Sequence, residues 1–188
     1  MDGDITEQRT NHRFCIDGAA AQNNLIRDYY APQSGDANHA QRRLLDIVDE
    51  IRLNLDVLLN DKNAIIISSD LPDIMADRTM ILQLFQNIIG NGIKYNENKR
   101  PLVKVKGCLR ANEIELTFAD NGIGIPEHFR EKVEIFKRLH TTQEYSGSGI
   151  GLSICRKIAE SMNGRITIED NPTGGTVFKV NLPISLIA

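Results

Sequence analysis

The sequence predicts an α+β fold: a two-layer α/β sandwich with one mixed sheet, helices on one of its faces, and an N-terminal helical arm. Three observations predict it. Helical and alternating segments follow one another without strict βαβ order. Two alternating runs, Leu102–Leu109 and Glu113–Ala119, are separated only by Arg110-Ala111-Asn112. A long helical pattern, Asp77–Tyr95, offers Leu84, Phe85, Ile88 and Ile89 as an apolar face to lay on that sheet.

The elements follow in order. Residues 1–38 are polar and end in Pro32-Gln33-Ser34-Gly35-Asp36, the composition of a linker, with Phe14, Ala21, Leu25 and Tyr29 at roughly helical spacing before it. These residues form an arm; residues 39–188 form the domain. Leu44, Ile47, Val48, Ile51, Leu55, Leu58 and Leu59 predict a helix from about Ala40 to Asn60. Ala64–Ile67 is β-branched and reads as a strand, closed by a turn through Ser68–Asp73. Asp77 is the expected N-cap of the long helix, which Asn96-Glu97-Asn98 and Pro101 stop. A Gly-rich turn, Asp120–Pro126, leads to a short helix around Glu127–Phe136, then to a second Gly-rich turn and a helix ending near Met162. Asn163-Gly164 has helix-ending chemistry, and Arg165–Glu169 and Thr176–Leu182 close the chain as a strand pair.

Composition narrows the function. The 188 residues are 41% hydrophobic and 25% charged, enough for a core and too apolar for a disordered tail. Lys and Arg total 22 against 25 Asp and Glu, so the basic excess of a nucleic-acid module is missing. No apolar run reaches the roughly 18 residues of a spanning helix, and Met1-Asp2-Gly3-Asp4 opens no signal peptide. Cys15, Cys108 and Cys155 are scattered, as are the four histidines, so no metal-ligand spacing exists and free thiols in a cytoplasmic protein are expected.

Four motifs carry chemistry. On the long helix, Gln83, Asn87, Asn91, Lys94 and Tyr95 share a face poor in ordinary surface charge. If covered, its amides need partners, and a phosphate ligand with a hard cation supplies them: amide oxygen to Mg²⁺, Lys94 to phosphate. Asp120-Asn121-Gly122-Ile123-Gly124-Ile125 follows a strand; alone it reads as a turn, yet Gly122 and Gly124 would let the backbone approach a flat ligand while Asp120 accepts from an exocyclic amine. Gly147-Ser148-Gly149-Ile150-Gly151-Leu152 opens a helix and suits an anion. It is no dinucleotide fingerprint, because Thr141–Ser146 is not a buried strand, and no Gly-Lys-Ser/Thr makes it a P-loop. Gly174-Gly175-Thr176 alone reads as a hairpin turn.

In this order the four motifs resemble the catalytic ATP-binding domain of two-component sensor histidine kinases, in the superfamily shared with gyrase-type ATPases. The resemblance covers roughly residues 40–185. Gln86–Tyr95 is similar to the N box, Asp120–Ile125 to the G1 box, Ile135–Leu139 to the F box and Gly147–Leu152 to the G2 box. Phe136–Thr141 is similar to the phytochrome-related kinases.

The resemblance implies a Bergerat-type fold and ATP and Mg²⁺ as ligands. It implies Asn91 on the Mg²⁺, with Asn87 beside it as a second candidate, Lys94 on phosphate and Tyr95 lining the site. It places Asp120, Gly122, Gly124 and Thr176 at the adenine, Gly147, Gly149, Gly151 and Leu152 at the phosphates and the hinge of a lid, and Phe136 as the lid's anchor. Hydrolysing relatives carry a general-base Glu at the position of Asn87; an amide cannot act so, and slow hydrolysis is expected. The implied partners are a histidine-containing dimerisation domain, in cis or in trans, and a response regulator, with a homodimer as the family's usual assembly.

Neither His12 nor His39 sits in a phosphoacceptor box, although Asn24–Tyr30 looks like the end of the second helix of such a hairpin. The chain is therefore expected to be cut from a larger kinase or to phosphorylate a histidine supplied by another segment or protein. A nucleotide-binding regulatory module without chemistry is the alternative, and a gyrase-like ATPase a third.

Overall fold

The computed structural model describes residues 39–126 and 151–188. The arm expected over 1–38, the short helix expected around Glu127–Phe136 and the lid implied by the resemblance, with Phe136, Gly147 and Gly149, lie outside the described residues.

Residues 39–43 were expected to begin a helix and instead form strand β1 (His39–Arg43), antiparallel to β3 (Asp73–Asp77), with Arg43 opposite Asp73 and His39 opposite Asp77. The apolar repeat of three and four starts only at Leu44, so nothing local holds Ala40–Arg43 helical. The Asp73–Asp77 segment, between the turn expected through Asp73 and the Asp77 cap, alternates as a strand and buries Ile74 and Ala76.

Helix α1 (Leu44–Asn54) buries Leu44, Ile47, Val48 and Ile51. The helical run breaks at Leu55, and α2 (Asp56–Lys62) ends on Asn63, whose φ of 50° is a left-handed conformation asparagine tolerates. Strand β2 (Ile65–Ser69) follows. Helix α3 (Arg78–Lys94) starts as expected, with Asp77 accepting the Met80 amide at 3.0 Å.

The main sheet has the order β2-β4-β5-β7-β6, with β4 (Leu102–Leu109), β5 (Glu113–Asp120), β6 (Arg165–Asp170) and β7 (Thr176–Pro183). β2 and β4 are parallel and the other pairs antiparallel, so the sheet is mixed as predicted. Its inner face carries Val103, Val105, Ile114, Leu116, Phe118, Phe178, Val180 and Leu182. Helices α1, α3 and α4 (Gly151–Ser161) turn their apolar stripes to the core, making the second layer. Phe85 of α3 meets Phe118 of β5 edge to face, ring centroids 4.8 Å apart.

Candidate nucleotide site

Period two places the acid. Along β5, Ile114, Leu116 and Phe118 face the core, so Asp120 at the strand end faces it too and is only 7% exposed. Its Oδ1 accepts from the Gly122 amide at 2.8 Å and the Thr176 amide at 3.1 Å. Burial raises the carboxyl above its ordinary value, and these two hydrogen bonds pull the other way.

Glycines let the chain close on that carboxylate. A Cβ at Gly122 would lie 2.5 Å from the Tyr95 carbonyl oxygen. At Gly175, with φ +98°, it would lie 2.2 Å from the Asp120 carbonyl oxygen. Thr176, 4% exposed, is thereby brought beside Asp120. Asn171 fastens the same turn, donating from Nδ2 to the Asp120 carbonyl at 2.6 Å and accepting from Thr173.

Helix α3 stands beside this acid. Gly92, the neighbour of Asn91, packs so closely on β5 that an added Cβ would be 3.0 Å from the Asp120 Cβ. The first residue of α4 closes the other side: a Cβ on Gly151 would lie 3.5 Å from Asn87 Oδ1 and 3.9 Å from Asn91 Nδ2. Lys94 Nζ is 5.6 Å from the centre of the Tyr95 ring, at the end of α3. Asn87, Asn91, Lys94, Tyr95, Asp120, Gly122, Gly124, Gly151, Leu152 and Thr176 thus stand on α3, the β5 end, the start of α4 and the start of β7.

One polar atom fits a ligand better than it fits the protein. Asn87 Nδ2 is buried and, among the described residues, has no hydrogen-bond partner. Its neighbour on α4, Cys155, is buried, its thiol pushed up to about 12 by desolvation, with the Asn87 amide opposing, and a thiol is a weak acceptor. A phosphate oxygen would satisfy Nδ2; turned over, the amide would offer its oxygen to a cation. No cluster of three or more His, Cys, Asp or Glu occurs among the described residues, so a cation here would draw on amide oxygens, phosphates and water.

Sequence reasoning missed two supports of this site. Asn96, read only as a helix stop, is 5% exposed and bonded on all sides. Asn171 lies in the turn between the last two strands, where asparagine is ordinary. Their signal was present as asparagine before a proline or at a helix end, but that pattern fits any turn.

A mixed sheet backed by helices, with an acid at a strand end facing an amide-lined helix, defines a class of nucleotide-binding domain, and comparison with known proteins names the family. The family described as histidine kinase-, DNA gyrase B- and HSP90-like ATPase matches residues 76–186. The chain belongs to this family, as a histidine kinase-like ATP-binding domain. It is 38% identical over 175 residues to the phytochrome-like protein Cph1 of Synechocystis, covering 91% of this chain and 23% of that protein. To the adaptive-response sensory kinase SasA of Prochlorococcus marinus it is 32% identical over 162 residues, 84% of this chain and 42% of the kinase. The chain therefore spans less than half the length of either. The catalytic domain of the histidine kinase ThkA superposes with a TM-score of 0.64 at 26% identity, covering 77% of this chain and 95% of that domain. No helix among the described residues is long and apolar enough to cross a membrane.

Proposed function

We propose that this chain binds Mg-ATP and passes its γ-phosphoryl group to a histidine on a separate segment or protein, as the transferase half of two-component signalling. The observation that carries the reading is that α3 packs on Asp120 at Gly92 and, through Asn87 and the neighbouring Asn91, on the start of α4 at Gly151.

Asp120 Oδ1 is engaged by two backbone amides, which leaves Oδ2 to accept from the adenine amino group. Asn91 and Asn87 would hold the cation and phosphates, Lys94 would add a positive charge there, and the amides of the first turn of α4 would face phosphate oxygens. Magnesium, when bound, supplies neutralisation of the phosphate charge. Asn87 has no basic oxygen to activate water, so the residues orient the γ-phosphoryl for a protein acceptor.

The test adds a separate helical hairpin carrying an acceptor histidine and follows label from γ-labelled ATP. Acid-labile, base-stable phosphate on the hairpin is expected, with little free phosphate from the chain alone. Tight ATP binding without label on any hairpin would leave a regulatory module; rapid phosphate release would point to a gyrase-like ATPase. Asn91→Ala is expected to abolish Mg²⁺-dependent ATP binding in calorimetry, and undiminished affinity would remove the assignment of that residue.

A further inference from the structure

We propose that Asn96 is a positioning residue for the nucleotide site, locking the end of helix α3 to the Asp120–Gly122 turn through an amide-to-amide hydrogen bond with Asn121. The proposal rests on the nucleotide-binding reading above and adds to it the device that sets the spacing between base and phosphate contacts.

Asn96 Nδ2 donates to the Gly92 carbonyl at 3.2 Å and to Asn121 Oδ1 at 2.7 Å. Its Oδ1 accepts from the Asn98 backbone amide at 3.0 Å and from Asn98 Nδ2 at 3.1 Å. Asn121 Oδ1 also accepts from the Leu102 amide at 2.8 Å. The orientation of both amides is therefore chemically fixed. Leu102 N and Asn98 N are backbone donors and require the two Oδ1 atoms where they are; the Gly92 carbonyl requires the Asn96 nitrogen.

The link runs parallel to a second one. Ile123 N donates to the Tyr95 carbonyl at 3.2 Å, next to Asn96. Lys62 Nζ draws the same segment down, donating to the Lys94 carbonyl at 2.9 Å and to the Asn96 carbonyl at 3.2 Å. Lys94 and Tyr95 lie just before Asn96, and Asp120 just before Asn121. One short bridge thus joins the residues assigned to phosphate with the residue assigned to adenine.

Asn96→Asp is nearly isosteric and puts two acceptors face to face, against the Gly92 carbonyl and against Asn121 Oδ1. ATP affinity is expected to fall about tenfold, the loss typical of one unsatisfied buried polar group. Amide exchange at Leu102 and Ile123, followed by NMR, is expected to speed up by a similar factor. Asn98→Ala, at an exposed position, removes only side-chain donors to Asn96 Oδ1 and the Asn121 carbonyl, so it folds and should show a smaller loss in the same direction. Ile114→Val, at the far end of β5, lowers stability without touching the turn and should leave ATP affinity unchanged.

Unchanged affinity in Asn96→Asp overturns the proposal. So does an equal loss in Ile114→Val, which would mean general loosening, and so does unchanged affinity in Asn98→Ala should Asn96→Asp not fold. Failure of the unsubstituted chain to bind ATP overturns the nucleotide reading and with it the role of Asn96 there; the exchange rates at Leu102 and Ile123 still decide whether the pair holds the turn.

Discussion

Among the described residues, Asp120 is the buried carboxylate, set on the apolar side of a strand. Its raised pKa has a stability consequence. The folded state holds the Asp120 proton more readily than the unfolded chain, so its contribution is full below the ordinary carboxylate value and is lost as pH rises through the folded pKa. Asp120→Asn keeps an oxygen for the Gly122 and Thr176 amides and removes that loss. In urea unfolding across a pH series, the variant is expected to gain on the parent above the carboxylate range. Calorimetry should show its ATP affinity reduced by at least about tenfold, because the acceptor proposed for the adenine amino group changes character. At Gly175 the backbone decides: a methyl there meets the Asp120 carbonyl at 2.2 Å with φ at +98°, so Gly175→Ala is expected to destabilise by about 2 kcal/mol or more in the same unfolding experiment.

At the scale of elements, the spacing between α3 and α4 matters more than either helix. Gly151 faces the amides of α3, and its missing Cβ leaves room at ordinary contact distance, 3.5 Å from Asn87 Oδ1. Gly151→Ala therefore fits without strain, and its melting temperature is expected to be unchanged or higher, since alanine suits a helix better than glycine. The methyl occupies the gap between α4 and the amides of α3. ATP affinity is expected to drop while stability holds, a separation that thermal melts and calorimetry on one sample would read. The Asn87 Nδ2 atom, buried without a partner among the described residues, belongs to the same junction. The amide-bearing face of α3 is legible in the sequence as a face poor in charge; its covering partner is not, because the partner lies over 60 residues further along.

For the whole molecule, the core sets which chemistry stays closed. Cys155 is buried between α4 and α3, donates to the Leu84 carbonyl, and has its thiol pushed up to about 12. Alkylation at pH 8 followed by peptide mapping is expected to leave Cys155 unmodified in the native protein and to label it once denaturant unfolds the domain. Labelling in native buffer would show that α4 leaves the core without global unfolding.

The sequence by itself determined the mixed α+β class, the Asp77 cap, the long amide-faced helix, the strand pairs and the order of four motifs. These are local properties: periods of 2 and 3.6, caps, and glycine where backbones must approach. Tertiary structure alone decided that residues 39–43 are a strand, that Asn96 and Asn171 bond to the Asp120–Asn121 segment, and that Gly92 brings α3 onto β5 while Gly151 brings α4 onto the amides of α3. β1 forms because Asp73–Asp77 offers it a partner, and an asparagine becomes structural only when a carbonyl from a distant segment faces it. Pairings of that kind depend on where remote backbone groups end up, and no window of neighbouring residues contains them.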